Sequence, residues 1–411
     1  MPAVAQSTPA LPDDESSSVM NVYRRSDVCM VAGEGVWLTD ANGKRYLDFA
    51  SGIAVNSLGH KHPRVQAALH AQADLLWHCS NHFTNEHLPA ISARLCDLSE
   101  FAQAVFFSSS GAEANEAAIK FIRRTMWHRK PSAGDTNTAE RYRIISMKGG
   151  FHGRSLANIA ACKADRAVEG FGPLPDGFDQ VPFNDIAALE AAISPRTAAI
   201  LLEPVQGEGG VHAHSAEYLQ AARALADKHG IFLWLDEVQC GMGRTGTLFA
   251  YEEAGIVPDI VTIAKGLGNG FPIGATLVNG EIARAMPPGS HGSTFGSNPL
   301  ALTVARTVLE ELASPTLLAN VRARAATLSA GLQELVATYP DLLADARGVG
   351  LMQGLQTRIS APQFMKKLRD AGLLVVAAGD SVVRILPPLI ISDDDVAHAV
   401  SLLHQTCKEW Q

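Results

Sequence analysis

Ile231-Phe232-Leu233-Trp234-Leu235-Asp236-Glu237-Val238-Gln239 is the stretch whose reading decides the fold. Its apolar run lacks the alternation of a half-exposed strand. It therefore predicts a strand buried on both faces, the kind found in parallel sheets covered by helices. The run stops abruptly on charge, at Asp236. A second run, Ile260-Val261-Thr262-Ile263-Ala264, stops the same way on Lys265 and opens into Gly266-Leu267-Gly268-Asn269-Gly270. In open α/β sheets the carboxyl edge of the strands is where ligands bind, so a carboxylate and an amine are delivered to that edge.

A carboxylate and an amine so placed suit pyridoxal 5′-phosphate. Its aldehyde takes a lysine as a Schiff base, and its ring nitrogen needs an acid to remain protonated as an electron sink. Such strand ends are common in α/β proteins, and a third element is needed. Val105-Phe106-Phe107 reads as a strand, followed by Ser108-Ser109-Ser110-Gly111-Ala112-Glu113 and a helical stretch from Ala114 to Arg124. Ser110 and Glu113 have capping-box spacing, so a helix begins here with unpaired N–H groups facing outward. Small residues let a phosphate approach those donors, and the helix dipole favours its charge. Taken together, the three elements favour the cofactor.

Outward from these elements, helical patterns alternate with short apolar runs from about residue 64 to 290. The runs include Ile144–Met147, Ala199–Leu202 and Ala275–Val278. This alternation predicts an α/β fold with a mostly parallel central sheet, helices on both faces and a smaller α+β domain. The expected organisation is a disordered tail over 1–18, a segment 19–63 that joins the small domain, a large domain 64–298 and a small domain 299–411. Asn42-Gly43 between alternating residues predicts a hairpin. Pro131 to Glu140 reads as a surface loop. A long amphipathic helix is expected from Pro299, strands at Leu373–Val376 and Val382–Leu386, and a terminal helix over Asp393–Gln405.

At 411 residues two domains are the natural expectation, and 47% hydrophobic with 18% charged residues is ordinary for a globular chain. A net charge of −8 argues against nucleic acid and anionic membrane as partners. Six cysteines without CxxC spacing point to free thiols and a cytoplasmic setting. The apolar runs are too short to span a membrane.

The ordered blocks between Gly35 and Leu389 carry a family resemblance. They include Leu47-Asp48-Phe49-Ala50, Gly52-Ile53-Ala54-Val55, Ser110-Gly111-Ala112-Glu113-Ala114-Asn115-Glu116 and Phe151-His152-Gly153-Arg154. They continue through Glu203-Pro204-Val205-Gln206-Gly207-Glu208-Gly209-Gly210, Asp236-Glu237-Val238-Gln239, Gly241-Met242-Gly243-Arg244-Thr245-Gly246, Lys265 and Gly289-Ser290-His291-Gly292-Ser293-Thr294. The chain resembles class III (subgroup II) aminotransferases of fold type I, and within them the branch that acts on N2-acetylornithine.

The resemblance implies a role for each matching residue. Lys265 is the Schiff-base lysine and Asp236 the partner of the ring nitrogen. Gln239 bonds the ring hydroxyl, Phe151 stacks on the ring, and Glu237 and Val238 complete that strand-end segment. Gly111 and Ala112 hold the phosphate; where related enzymes often carry Asn-Ser-Gly-Thr, this chain has Ser109 and Ala112, which removes one hydroxyl contact. Ser293 and Thr294 reach the site from a partner subunit, Thr294 on the phosphate, which implies a homodimer with shared sites.

The substrates are expected to be read by arginines, whose planar forks suit carboxylates. Arg384 matches the residue for the α-carboxylate of 2-oxoglutarate, Glu208 the carboxylate that pairs with it when the other substrate is bound, and Arg154 the residue for the α-carboxylate of acylornithine. Ile53 stands where ornithine aminotransferases carry a tyrosine that helps hold free ornithine. The implied reaction passes the δ-amine of N2-acetylornithine to 2-oxoglutarate. Succinylornithine, N-succinyldiaminopimelate, ornithine and 4-aminobutyrate are the alternative donors.

Other readings carry less. A cofactor-binding regulatory domain without turnover usually needs a fused DNA-binding region, and the residues before Gly35 are too few and too polar for one. Gly241-Met242-Gly243-Arg244-Thr245-Gly246 fits G-x-G-x-x-G, the dinucleotide fingerprint of a dehydrogenase. It does not directly follow a strand, however, and Val261 stands where an acid would be needed. His60, His62, His78, His82 and His87 are too loosely spaced for a metal site.

Overall fold

The computed structural model describes residues 18–129 and 140–410. Apart from Ser18 and Glu140, the expected tail and the loop 131–140 lie outside the described residues. Near the N-terminus β1 (Met30–Glu34), β2 (Trp37–Asp40) and β3 (Arg45–Asp48) form antiparallel pairs, and the hairpin expected at Asn42-Gly43 joins β2 to β3. Asp40 accepts from the N–H groups of Asn42 and Lys44, which closes the turn.

The central sheet uses β4 (Ala104–Ser108), β5 (Arg143–Met147), β6 (Phe178–Val181) and β7 (Thr197–Leu202). A small hairpin of β8 (Val205–Gln206) and β9 (His212–Ala213) follows. Then come β10 (Phe232–Asp236), β11 (Ile260–Ile263) and β12 (Gly274–Val278), giving the order β4-β12-β11-β10-β7-β5-β6. β12 runs antiparallel to both its neighbours, and the pairs β11–β10, β10–β7, β7–β5 and β5–β6 are parallel. Helices lie on both sides of this sheet. Every residue of β7, β10, β11 and β12 is buried, which is why their sequences run apolar without alternation.

The expected long helix is two helices, Pro299–Leu312 and Pro315–Thr338. Asn298 caps the first through Ala301 N–H, and Pro315 starts the second. A proline disfavours helical backbone in the residue before it and supplies no N–H, so it divides the amphipathic run. β13 (Leu343–Val349) and β14 (Met352–Thr357) form a hairpin that the sequence did not announce.

The strand expected over Leu373–Val376 is also divided. β15 (Leu373–Leu374) lies parallel to β3, while β16 (Val376–Ala377) pairs with β17 (Val382–Ile385). The chain changes sheets at Val375. A terminal helix covers Asp393–Lys408 with a capping box at Ser392 and Asp395.

One segment is strained. Ser51, Gly52, Ile53 and Ala54 all have positive φ, between 47° and 65°. Successive non-glycine residues in this region are costly and persist only where their surroundings hold them. Asp48 does so from below, accepting from Ala50 N–H and Ser51 N–H. From the far side, Leu386 N–H donates to Phe49 O at 2.6 Å and Leu389 N–H to Ser57 O at 2.7 Å.

Candidate active site

The parallel register sets Asp236 beside Thr262, so β10 and β11 end within a residue of each other, and Lys265 follows two residues past Ile263. A cavity of about 400 Å³ opens at this edge. Its walls include Asp236, Lys265, Gly111, Phe151 and Gln239. A wider, more open depression of about 690 Å³ lies elsewhere, where Arg223 is already paired with Asp227 and Asp259.

Asp236 is fixed from three directions. Its Oδ2 accepts from Asn115 Nδ2 and from His152 Nδ1, each at 2.8 Å, and its Oδ1 accepts from Val238 N–H at 3.1 Å. Asn115 also donates to His152 O at 2.7 Å, which ties the helix after β4 to the Phe-His-Gly-Arg segment. Burial alone would push the His152 imidazolium down, but the bond to Asp236 and the charges of Asp236 and Glu203 hold it above the ordinary histidine value. His152 therefore donates from Nδ1 to Asp236 Oδ2. Glu203 accepts from Phe151 N–H at 2.7 Å. Burial raises its carboxyl to about 7 even though the His152 charge works the other way.

Lys265 adopts φ +37°, an uncommon conformation for a side-chain-bearing residue. Burial pulls its amine down to about 8, and the Arg384 charge adds to the effect, so about a tenth is uncharged at pH 7, far more than for an ordinary lysine. An amine needs that state to act as a nucleophile or base.

At the other end of the cavity, the helix Gly111–His128 points its N-terminus inward. Ser110 Oγ accepts from Glu113 N–H, and the Glu113 carboxylate accepts from the Ser110 hydroxyl and from Ser109 N–H instead of Ser110 N–H, a shifted capping box. Gly111 is required by closeness: a Cβ there would stand 2.8 Å from the Val238 side chain. The turn thus packs on the Asp236 segment and leaves its N–H groups to the cavity. Phosphate donors, a carboxylate for a ring nitrogen, a flat aromatic and a depressed amine line one volume. They meet the requirements of pyridoxal 5′-phosphate.

Beside the cavity, Arg384 is buried to 1% exposure. Its Nη1 is 2.7 Å from Glu208 Oε1 and 2.8 Å from Gln239 Oε1, while Nη2 donates to Ala377 O. Gln239 therefore reaches from the cavity to the arginine. Arg154 stands exposed at the cavity's lip, 5.4 Å from the centre of the Phe151 ring.

Not every expected residue meets there. The Glu237 side chain is turned away into the interior and accepts from Ala250 N–H and Tyr251 N–H. Ser293 and Thr294 are not among the residues lining the cavity in this chain; Thr294 is exposed, and Ser293 Oγ accepts from Gly296 N–H. Val55 lines the cavity, while Ile53 on the strained turn is 37% exposed.

His152, Asn115 and Glu203 received no individual role from the sequence. Each stands in a motif beside a residue that did, and only the packing shows what they bond. Arg244, in the glycine-rich motif, is buried and donates to Leu351 O and Pro387 O. Of the loosely spaced histidines, His60 bonds Asp48, His87 bonds Gln72, and His78 lies against Phe295.

A family model described as aminotransferase class-III matches residues 19–407. The chain is 48% identical to an acetylornithine aminotransferase of Brucella melitensis, over 92% of each. Among solved structures it is similar to an N-acetylornithine aminotransferase from Stenotrophomonas maltophilia, at TM-score 0.81 and 37% identity, covering 94% of this chain and 97% of that one. It is also similar to an ornithine aminotransferase from Toxoplasma gondii, at TM-score 0.90 and 30% identity, covering 96% and 93%.

Proposed function

The chain belongs to the class-III aminotransferases, which are pyridoxal 5′-phosphate-dependent transaminases, and from that premise we propose that it moves the δ-amino group of N2-acetylornithine to 2-oxoglutarate. The products are N-acetylglutamate 5-semialdehyde and glutamate, a step of arginine biosynthesis. Relatives named acetylornithine aminotransferase support this. The observation that carries it is the unequal standing of two arginines. Arg154 is open at the lip, whereas Arg384 is already held by Glu208 and Gln239. A donor with one carboxylate meets Arg154 and leaves the Arg384–Glu208 pair closed. The dicarboxylate acceptor needs the second arginine as well, so Glu208 must release it.

Pyridoxal 5′-phosphate supplies an aldehyde that accepts the amino group and a protonated ring that stabilises negative charge at the reacting carbon. Gly111 and Ala112 would hold its phosphate through backbone N–H groups at the helix N-terminus. Asp236 would hold the proton on the ring nitrogen, Phe151 would cover one face, and Gln239 and Val238 would border the ring. His152 and Asn115 keep Asp236 oriented. Lys265 Nζ takes the proton from the carbon bearing the donor amine. Glu237 serves this arrangement indirectly, by anchoring the turn at Ala250 and Tyr251 to the end of β10.

The working form we propose is a homodimer in the cytoplasm, each site completed by Ser293 and Thr294 of the second copy. Support comes from the exposure of Thr294 in a single chain and from exposed Leu75, Trp77, Phe83 and Phe295, the last two 71% and 64% exposed. Six free cysteines accord with a reducing compartment. No helix among the described residues is long and apolar enough to cross a membrane. The proposed division is a large domain 64–298 and a small domain 299–411, with 19–63 joining the latter; the β3–β15 pairing supports that join.

A donor panel with 2-oxoglutarate tests the substrate, comparing kcat/KM for acetylornithine, succinylornithine, ornithine, succinyldiaminopimelate and 4-aminobutyrate. Ile53 offers no hydroxyl to a free α-ammonium, and burying that charge unpaired is costly. Acetylornithine is therefore expected to exceed ornithine by a factor on the order of 10². Arg154→Ala is expected to weaken acetylornithine strongly and 4-aminobutyrate, which has no α-carboxylate, far less. Equal kcat/KM for ornithine and acetylornithine would overturn the donor assignment and leave the transaminase.

A further inference from the structure

The turn that carries Lys265 has little holding power of its own. It is a single 3-10 turn, Lys265–Leu267, closed by Leu267 N–H to Ala264 O and Gly268 N–H to Lys265 O. Both Lys265 and Asn269 have positive φ, 37° and 44°. Strained residues persist only when neighbours hold them, and here the neighbour is the segment Ser57-Leu58-Gly59. Asn269 Oδ1 accepts from Leu58 N–H at 2.7 Å, and Asn269 Nδ2 donates to Gly59 O at 3.1 Å. One side-chain amide thus bonds the backbone on either side of the Leu58–Gly59 peptide, as a neighbouring strand would. The fit is close: a Cβ at Gly266 would stand 2.8 Å from Ser57 Oγ. Ser57 O in turn accepts from Leu389 N–H, four residues past Ile385, the end of the strand that carries Arg384.

We propose that Asn269 is a positioning residue for Lys265, its amide clamping the lysine's turn onto Leu58 and Gly59 and so setting where Lys265 Nζ stands in the cavity. The proposal rests on Lys265 being the cofactor lysine. The N-terminal segment then acts as a brace, bonded to Asn269 on one side and, through Leu386 and Leu389, to the stretch that follows the strand of Arg384 on the other.

Asparagine tolerates left-handed backbone, so the plain alternative is that Asn269 is there only for its φ. Asn269→Gly separates the two, because glycine takes that φ freely and deletes the amide. The first readout uses the full-length protein stripped of cofactor and labelled with acetic anhydride across a pH series, the Lys265 peptide being quantified by mass spectrometry. Without the clamp Lys265 gains water and titrates nearer the ordinary lysine value. A rise of one unit from about 8 lowers its labelling at pH 8 about fivefold.

Asn279→Ala is the control. It removes an amide that, like that of Asn269, makes two bonds, Nδ2 to Asp259 Oδ1 and Oδ1 from Ile282 N–H, at the opposite end of β11, and is expected to leave the Lys265 profile unchanged. The second readout is the donor half-reaction of the reloaded enzyme. Asn269→Gly is expected to slow it about tenfold with donor KM little changed. A folded Asn269→Gly protein with the wild-type labelling profile overturns the proposal, as does an equal shift in Asn279→Ala. If wild-type Lys265 carries no cofactor, the lysine's assigned role fails instead, and the labelling comparison still stands by itself.

Discussion

Nδ1 of His152 lies 2.8 Å from Oδ2 of Asp236, with both side chains buried. A buried carboxylate facing only apolar groups would take up a proton and lose its value as a partner for a cationic ring. Asp236 instead faces donors, the His152 ring and the Asn115 amide on one oxygen and the Val238 N–H on the other.

Asp236→Asn is expected to fold and retain cofactor yet lose on the order of 10²-fold or more in the donor half-reaction, because the amide cannot hold the ring proton. His152→Ala leaves the buried carboxylate with less compensation and is expected to lower apoprotein stability by roughly 3 kcal/mol as well as rate. Stopped-flow traces and urea melts measure the two effects. Near wild-type rates in Asp236→Asn would remove it from the mechanism.

Lys265→Ala is expected to abolish steady-state turnover while the helix N-terminus still holds cofactor. After borohydride treatment, the intact mass of the wild type should increase by one cofactor and that of the variant should not. Sustained turnover by the variant would reassign the lysine.

Buried Glu237 gives stability a pH slope. Burial raises its carboxyl to about 8 from an ordinary 4.5, against the pull of two backbone N–H bonds. Between those values the native state keeps a proton that the unfolded chain has lost, so stability falls as pH rises through that window and levels above it. Glu237→Gln lacks this slope. In thermal melts of the apoprotein, Tm of wild type minus variant is expected to drop by a few degrees from the acidic to the alkaline side. Glu203 and His152 contribute the same sign in both proteins and cancel in the difference. A pH-independent difference would place Glu237 in a wetter setting.

Mixing Lys265→Ala with Thr294→Ala subunits is expected to restore one intact site per heterodimer, so activity should rise from near nothing toward about a quarter of wild type at random pairing. A fully active monomer in sedimentation at working concentration would remove the shared-site reading.

The sheet could be read from the sequence because its strands are buried on both faces, which left Phe232–Leu235 and Ile260–Ala264 as runs without alternation, one stopping on Asp236 and the other on Lys265. Lys265 and Asp236 became legible as a pair for the same reason. The hairpin of β13 and β14 had no such signature: Leu343-Ala-Asp-Ala-Arg-Gly-Val mixes burial classes along its length. Asn269, Asn115 and Glu203 act through contacts more than 50 residues away in the chain, which local spacing does not encode. Glu237 shows the converse. It stands in the most informative block, yet strand alternation points its side chain away from the cavity.

The reversed direction of β12 sets a limit on how this protein can change length. Because β12 runs against β11, the chain turns back at the cavity instead of crossing to the far edge, and Lys265 rides on that return. The return has no slack: a Cβ at Gly268 would lie 2.0 Å from Phe271 O, and β12 is registered residue by residue against both β11 and β4. One amino acid added or deleted between Lys265 and Gly274 would either dislodge the lysine or slip β12 by one, turning each of its side chains to the opposite face. Insertions in descendants of this chain should therefore accumulate in surface connections and spare this return.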